Sequence, residues 1–318
     1  MKHNTIFVFL LAIFLTACNS DIFIKEFLPD ENEFTLNSPD TLVIPFKGEN
    51  WDLDGIYQVG ELRGNVYSLD GKLLHENVGL LGKYIRGMVR IVCDDSRFHL
   101  EVERSSINQL KIVAGRNIAS EKNLSIHLTN GASRNTLTLN ILQSEPFEVR
   151  SIEYHYDRLS THKEERYTNN GINYYNDSSR EQKVTLYPFR EIYQQVSVKT
   201  DIAWYFMVDY LGAPLPELKR FDVVNGEAVL NDRTFPIDGK IHFIKSPELD
   251  NVEEEIHIAP FTQQQIQVIV WRKIAVLPFT IHAYSPQLNE EMTFAGSIED
   301  SCPVEYEIRK DDPIEIEK

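Results

Sequence analysis

Tyrosine and tryptophan side chains are the residues of this sequence whose type and spacing best suit a chemical task. Nine of the fourteen tyrosines fall between Tyr154 and Tyr210. Their rings can stack on flat ligand faces while the polar tips form hydrogen bonds. We select these candidate ligand-binding residues: Tyr154, Tyr156, Tyr174, Tyr175, Trp204 and Tyr205. Tyr187 and Tyr193 form a further pair. The alternative is that these rings pack a β core, since aromatic residues favour strands.

Acidic residues form three short clusters, at residues 52–54, 94–95 and 253–255. Asp52 and Asp54 alternate along an expected strand and would face one side of it, which suits a calcium site. A glycosidase also needs two carboxylates, but at a set separation across a cleft. The alternative is solvated strand edges and turns of an acidic chain, and we expect Asp94 and Asp95 in a turn.

Sequence signatures of catalysis are absent. The chain has no nucleophile elbow, no phosphate-binding loop and no HExxH motif. His155 and His162 lie in a strand-rich segment, where a spacing of seven does not define a shared face, so we expect solvated or hydrogen-bonded histidines. We therefore predict a protein that is not an enzyme, with no catalytic residue, no metal site and no cofactor.

The net charge of −16 over 318 residues limits the classes of partner. Nucleic acids and anionic lipid surfaces are bound through lysine and arginine, so neither is an expected partner. Cys93 and Cys302 either form a disulfide in an oxidising compartment or remain two buried thiols. Trp51 and Trp271 are assigned to the core.

The N-terminus resembles a bacterial lipoprotein signal. A positive start is followed by the apolar run Ile6–Leu15 and by the box Leu15-Thr16-Ala17-Cys18. The run is about half as long as a membrane-spanning helix requires. The resemblance implies cleavage after residues 1–17, lipidation of Cys18, and a membrane held through that anchor. It places the protein at the outer membrane, with the cell-surface or periplasmic side left open, and residues 18–33 as a tether.

The remaining sequence is typical of an all-β protein. Apolar residues alternate with period two in 98–102 and 137–141. Asp70-Gly71 predicts a type I′ hairpin, and Asn130-Gly131 a second one. A composition change at 144–146 divides the chain into domains at 34–145 and 146–309, followed by a charged tail, 310–318, that we expect to fray. In the second domain we predict a meander over 220–244 and three last strands between 265 and 284.

Residues 96–143 resemble the second half of a BACON module (Bacteroidetes-associated carbohydrate-binding, often N-terminal). The resemblance rests on Asn117, on Thr129-Asn130-Gly131, and on a last strand that ends in Gln143. It departs at Lys122, where the family has an arginine, and at Leu142, where it has a threonine. The resemblance covers about 34–145 and implies an immunoglobulin-like sandwich that is often a mere spacer.

Residues 148–300 are similar to the long-strand region of aerolysin-like proteins. The similarity rests on 176–185, on His257-Ile258-Ala259-Pro260, and on the Pro-Phe step at 278–279. The resemblance implies a β-pore-forming protein. That family inserts a Ser/Thr-rich amphipathic hairpin, whereas residues 212–247 here are charged and contain prolines.

We expect an immunoglobulin-like β-sandwich followed by a longer β-rich domain. The leading hypothesis is a non-enzymatic envelope lipoprotein whose distal domain binds a glycan or a surface protein. The alternatives are an aerolysin-like pore former and a structural or assembly lipoprotein. An exposed aromatic row would favour the glycan-binding or protein-binding lipoprotein. A hairpin with polar/apolar alternation over about ten residues per strand would favour the pore former, and a flat apolar patch would favour the structural lipoprotein.

Overall fold

The computed structural model describes residues 27–60, 62–82, 85–118, 120–131, 133–167 and 171–316. The predicted signal and Cys18, the predicted lipidation site, lie outside the described residues. The chain divides into two compact units: unit 1 comprises residues 1–147 and 285–290, and unit 2 comprises 148–284 and 291–318. Both consist almost entirely of strands, which confirms the predicted all-β class. No helix among the described residues is long and apolar enough to cross a membrane.

Unit 1 is a sandwich of two sheets. Its strands are β1 (Glu33–Leu36), β2 (Asp40–Pro45), β3 (Asp52–Tyr57), β4 (Arg63–Ser68), β5 (Leu73–Gly79), β6 (Val89–Asp94), β7 (Phe98–Ser106), β8 (Gln109–Asn117), β9 (Lys122–Thr129) and β10 (Arg134–Ile141). One sheet has the order β1-β10-β9-β3 and the other β2-β8-β7-β6-β4-β5. Along β7, every second residue is buried from Phe98 to Arg104, as the predicted alternation requires. The buried residues of both sheets form one apolar cluster.

The first predicted hairpin is present, but its turn is not type I′. β4 ends at Ser68 and β5 begins at Leu73, so the loop has four residues. Only Gly71, with φ 88°, has a positive φ in this loop, whereas a type I′ turn needs two such residues. The turn at Asn130-Gly131 also differs from type I′, because Gly131 has a positive φ, of 86°, and Asn130 does not.

Unit 2 is built around two very long strands. Its elements are β11 (Glu148–Tyr154), a 3-10 helix (Tyr156–Arg158), β12 (Ser160–Tyr167), β13 (Ile172–Asn176), β14 (Gln182–Leu186), β15 (Gln194–Thr200), α1 (Trp204–Leu211), β16 (Glu217–Val224), β17 (Glu227–Pro236), β18 (Ile241–Ile244), α2 (Pro247–Asp250), β19 (Glu254–Ile258), β20 (Thr262–Ser285), β21 (Glu290–Lys310) and β22 (Ile314–Glu315). The main sheet has the order β11-β20-β21-β15-β18, with β12, β13 and β22 also pairing with β20.

The three last strands predicted from the sequence are one strand, β20. Pro278 does not interrupt β20, because the strands facing it on that edge, β11 and β12, form no ladder pair with this residue. Tyr154 pairs with Phe279, and the next pair is Ser160 with Val276. The carbonyl oxygen of Pro278 instead accepts a hydrogen bond from the amide of His155 at 2.9 Å. Proline is tolerated where its missing N–H is not needed.

The predicted meander is only partly correct. β16 and β17 pair with each other, but β18 pairs with β15 and not with β17. The expected frayed tail also differs, since Ile314 and Glu315 pair with β20. In the predicted tether, Phe27 is 2% exposed and belongs to the apolar cluster of unit 1, so that end of the segment packs onto the sandwich.

The two cysteines are both free thiols. Cys93 is buried in unit 1, and burial raises the pKa of its thiol to about 12. Cys302 is half-buried in unit 2. Trp51 is 2% exposed and stacks on Phe46 at 4.2 Å, as a core residue does, whereas Trp271 is only half-buried.

Asn117, a residue of the BACON-like pattern, links the two sheets of unit 1. Its side chain is fully buried, and its Nδ2 donates to the carbonyl oxygens of Ile141 and Leu142 at 3.0 and 3.2 Å. Its own amide donates to the hydroxyl of Ser144 at 2.9 Å. The side-chain amide of Asn117 therefore helps to fasten the end of β8 to the end of β10.

We predict that Asn117→Ala lowers the free energy of unfolding of unit 1 by about 2 kcal/mol, because two buried carbonyl oxygens lose their donor. The measurement is urea unfolding followed by Trp51 fluorescence in a Trp204→Phe, Trp271→Phe background. Asn123→Ala, at an exposed position of β9, is the matched control. An equal effect of both substitutions would contradict the assignment.

Candidate functional site

The hairpin of β16 and β17 is amphipathic. Residues directly opposite each other share a face, and one face carries three apolar pairs: Leu218 with Phe235, Phe221 with Leu230, and Val223 with Ala228. The other face carries the remaining pairs: Glu217 with Pro236, Lys219 with Thr234, Asp222 with Val229, and Val224 with Glu227. Every residue of this second face is exposed. The charges of the segment, which the sequence analysis took as a departure from the aerolysin-like pattern, therefore lie mostly on one side.

The turn of this hairpin is specified by the sequence. Asn225 and Gly226 form a two-residue loop with φ of 53° and 88°, so both central residues are left-handed. That is the type I′ geometry, and its twist matches that of two antiparallel strands.

The hairpin rests on the rest of unit 2 through its apolar face. Leu218, Phe221 and Phe235 are 0, 1 and 7% exposed. Burial of each such side chain contributes about 1.5–3 kcal/mol. The backbone amide of Lys219 also donates to the Tyr154 hydroxyl at 2.8 Å. Among the described residues, neither strand of the hairpin joins the main sheet through backbone ladder bonds. It is held mainly by side chains.

A buried polar cluster, formed by Arg220, Asp300 and Gln194, lies under the hairpin. Arg220 and Asp300 have side chains 7 and 10% exposed, with an Nη2–Oδ2 distance of 3.6 Å. The side-chain amide of Gln194 donates to both carboxylate oxygens, at 2.7 and 2.9 Å. The Nε of Arg220 is buried without a hydrogen-bond partner among the described residues. The ion pair is long and incompletely hydrogen-bonded, so it does not offset the cost of burying both charges.

Burial also raises the pKa of Asp300. The hydrogen bond from Gln194 and the charge of Arg220 oppose this shift but do not overcome it. Burial therefore destabilises the charged form of a carboxylate that contacts Arg220 of the hairpin.

Tyr154 and Tyr156, selected from the sequence as a ligand platform, lie near each other with ring centroids 6.5 Å apart. They do not alternate along one strand, because β11 ends at Tyr154 and Tyr156 begins the 3-10 helix. The Tyr154 hydroxyl accepts the amide of Lys219, so this side chain holds the hairpin.

Tyr174 and Tyr175 point to opposite faces of β13. Tyr174 packs against the apolar cluster of unit 2, and burial raises its pKa. Tyr175 is 60% exposed. Adjacent strand residues cannot share a face, so these two tyrosines do not form one platform.

Trp204 and Tyr205 open α1, and Phe206 follows them in the same exposed row. The ring centroids of Trp204 and Tyr205 are 5.9 Å apart, and those of Tyr205 and Phe206 are 4.6 Å apart. Trp204 also covers Gly239, where an added Cβ would lie 2.5 Å from its ring. This row is the exposed aromatic feature expected for ligand or membrane contact.

The acidic clusters have ordinary partners. Asp52 binds Arg104 at 2.8 Å, and Asp54 pairs with Arg134. Asp94 binds Arg116, and Asp95 accepts backbone amides within its turn, as expected. Among the described residues, no group of three metal-ligating side chains occurs.

The histidines and the third acidic cluster are also partnered. His155 lies 2.8 Å from the Thr280 hydroxyl, and His162 is exposed. Glu255 binds Lys183 at 2.9 Å.

Arg220, Asp300 and Gln194 were not selected from the sequence. Gln194 and Asp300 are 106 residues apart, and no local pattern marks them. Arg220 could have indicated this cluster from the sequence, because it is a charged residue inside an otherwise apolar alternation.

Comparison with known proteins identifies no family. No protein-family model matches the chain, and no curated protein matches it. Among solved structures, it is similar to the parasporin-2 toxin of Bacillus thuringiensis that recognizes cancer cells, with 10% identity, 53% of this chain and 74% of that chain covered, and a TM-score of 0.30. It is also similar to the lamprey immune protein, with 9% identity, coverages of 87% and 99%, and a TM-score of 0.31.

An aerolysin-like protein of Bombina maxima is a third structural neighbour, with 10% identity, coverages of 51% and 98%, and a TM-score of 0.26. Scores of this size do not establish a shared fold. The BACON-like assignment of residues 34–145 stays a prediction.

We predict that Asp300→Asn raises the melting temperature of unit 2 at pH 7 and that this gain disappears near pH 3.5. Because the folded-state pKa is raised, the folded state binds the proton more tightly than the unfolded chain. Stability from this group therefore falls as the pH rises from the ordinary value of 3.8 through the folded value. Asparagine mimics the neutral form at every pH.

Thermal unfolding of both proteins at pH 3.5, 5 and 7 measures this difference. Asp232→Asn, at an exposed position of β17, is the control. A wild-type protein more stable than Asp300→Asn at pH 7 would show that the ion pair outweighs the cost of burial.

Proposed function

We propose that unit 2 is a membrane-inserting β module that releases the hairpin 217–236 from its docked position. Hairpins from several copies then join into a β-barrel pore in a target membrane. The observation that carries this proposal is the amphipathic hairpin itself, with three apolar pairs on one face and four pairs on the other that each contain a charged residue.

The length of β17 suits insertion, because its 10 residues lie within the about 9–11 that a tilted strand needs to cross a bilayer, whereas β16, with 8 residues, is shorter. Barrel strands present an apolar face to lipid and a polar face to the lumen. The apolar face of β16–β17 is now buried against unit 2, so release exchanges protein contacts for lipid contacts.

The way the hairpin is docked also supports release. Side chains and a single main-chain donor hold it, and the cluster of Arg220, Asp300 and Gln194 adds little net stability. The aerolysin-like sequence resemblance of residues 148–300 points to the same class of function.

We further propose that the protein is an outer-membrane lipoprotein anchored through Cys18, with unit 1 as a spacer. The basis is the signal-like sequence 1–17 and its terminal Leu15-Thr16-Ala17-Cys18 box. We expect no catalytic activity and no nucleic-acid partner.

A second candidate function is ligand capture without insertion, which was the leading hypothesis from the sequence. The exposed row of Trp204, Tyr205 and Phe206 favours it, with exposures of 42, 54 and 40%. Such a row could contact a glycan, a surface protein or a lipid headgroup layer.

We predict that a fluorophore on the apolar face of the hairpin enters lipid, while one on the polar face stays in water. The protein is the chain from residue 18 with Cys18→Ser, Cys93→Ala and Cys302→Ser, labelled through Val223→Cys or Asp222→Cys. With phosphatidylcholine vesicles, the label at 223 should gain intensity and shift to the blue, and trapped calcein should leak.

The neighbouring position 222 is the matched control, since it faces the other side of the same strand. Asp300→Asn should slow calcein release, because its hairpin is docked more stably. The insertion proposal would be wrong if both labels remain in water in the presence of vesicles and the trapped calcein is not released.

We predict that Cys18→Ser abolishes palmitate incorporation. The thiol at 18 is the only site that the signal resemblance offers to the lipid. Cys93→Ser, a change in the core of unit 1, is the control for altered expression. Palmitate incorporation into the Cys18→Ser protein at the wild-type level would refute the anchor.

A further inference from the structure

A groove of about 750 Å³ lies on unit 2 and shares no lining residue with the buried polar cluster under the hairpin. Strand β20 contributes Val268, Val270 and Arg272 to its lining, and strand β18 contributes Phe243. The segment 187–193 provides a third side and carries two tyrosines selected from the sequence, one at each end. Its volume is in the range of sites for small organic ligands.

The segment 187–193 is fixed in place. Two backbone hydrogen bonds, of 3.1 and 3.0 Å, close successive turns within it. The buried guanidinium of Arg272 donates to the carbonyl oxygen of Tyr193 at 2.6 Å. Glu191 lies in the left-handed region with φ 65°. A non-glycine residue is held there only when its surroundings impose it, and such residues are concentrated at binding sites.

The aromatic rings of the groove are accessible to a ligand. Tyr193 and Phe243 are 36 and 61% exposed and meet edge to face with centroids 6.2 Å apart. The guanidinium of Arg190 lies 3.8 Å from the ring centroid of Tyr187. Phe243 lies on the edge strand β18 with more than half of its surface exposed, so its ring offers a flat apolar face.

The charges of the groove cancel. Arg190 and Arg272 supply two positive charges, and Glu191 and Glu299 supply two negative ones. The groove is therefore electrically balanced on a chain whose net charge is −16. Such a lining offers hydrogen-bond donors and acceptors in equal measure but selects neither an anion nor a cation.

We propose that this groove binds a neutral glycan. Because the planes of Tyr193 and Phe243 are 79° apart, one pyranose ring of the glycan would stack on each through its apolar C–H face. The sugar hydroxyl groups would exchange hydrogen bonds with Arg190, Glu191 and Glu299. This site does not depend on insertion of the hairpin 217–236: glycan binding and pore formation are separate properties of unit 2.

The test uses the chain from residue 18 with Cys18→Ser in gels containing mixed-linkage β-glucan, xylan, mannan, dextran or acidic polygalacturonate. At least one neutral polysaccharide should retard the protein. Tyr193→Ala and Phe243→Ala should each weaken that binding at least 10-fold, which corresponds to about 1.4 kcal/mol for the loss of one stacking ring. Tyr175→Ala, at another exposed aromatic of unit 2, should bind as the parent does.

Melting temperatures of the variants confirm that each is folded, since both groove substitutions are at exposed positions. The proposal is overturned if no neutral polysaccharide retards the folded protein, or if polygalacturonate alone does. It is also overturned if Tyr175→Ala loses as much binding as the groove variants, or if a tryptic casein digest stabilises the protein and no polysaccharide does. Calcein release from vesicles that contain no glycan tests pore formation separately, so either proposal can fail alone.

Discussion

The backbone pairing of β20 is the constraint on which unit 2 depends. Over 24 residues this strand pairs with β11, β12, β13 and β22, and with its other neighbour β21. Residues along it are buried almost alternately, with the remaining ones only half-buried on the other face. A strand with ladder bonds along both edges cannot shift register without breaking many of them. The positions of the hairpin and of the groove therefore both depend on one strand whose register is fixed.

Local features of the fold could be predicted from the sequence because short-range chemistry decides them. Asn225-Gly226 forms the left-handed two-residue loop that this dipeptide favours, and the alternation at 98–102 gives a strand. Asp70-Gly71 marks a hairpin as well, but its loop has four residues, since flanking strand register and not the dipeptide fixes the loop length. The residue types of a segment therefore predict the position of a turn more readily than the type of the turn.

Features that depend on distant residues could not be predicted in this way. β18 pairs with β15 across the intervening hairpin, although sequence adjacency suggested β17. Three apolar runs between 265 and 284 merge into one strand because Pro278 happens to face a gap in the neighbouring edge. For the candidate site, the aromatic pairs were found by residue type, but Tyr154 holds the hairpin and Phe243 completes the groove only through long-range contacts.

The two proposed activities make opposite physical demands, and unit 2 meets them with different kinds of bonding. An inserting element must leave its docked position. The hairpin β16–β17 has apolar contacts that lipid can replace and few main-chain bonds to the sheet. Its buried Arg220–Asp300 pair also opposes docking, because both charges lose their hydration. A binding site must keep its shape, and the segment 187–193 is closed by backbone hydrogen bonds and by Arg272.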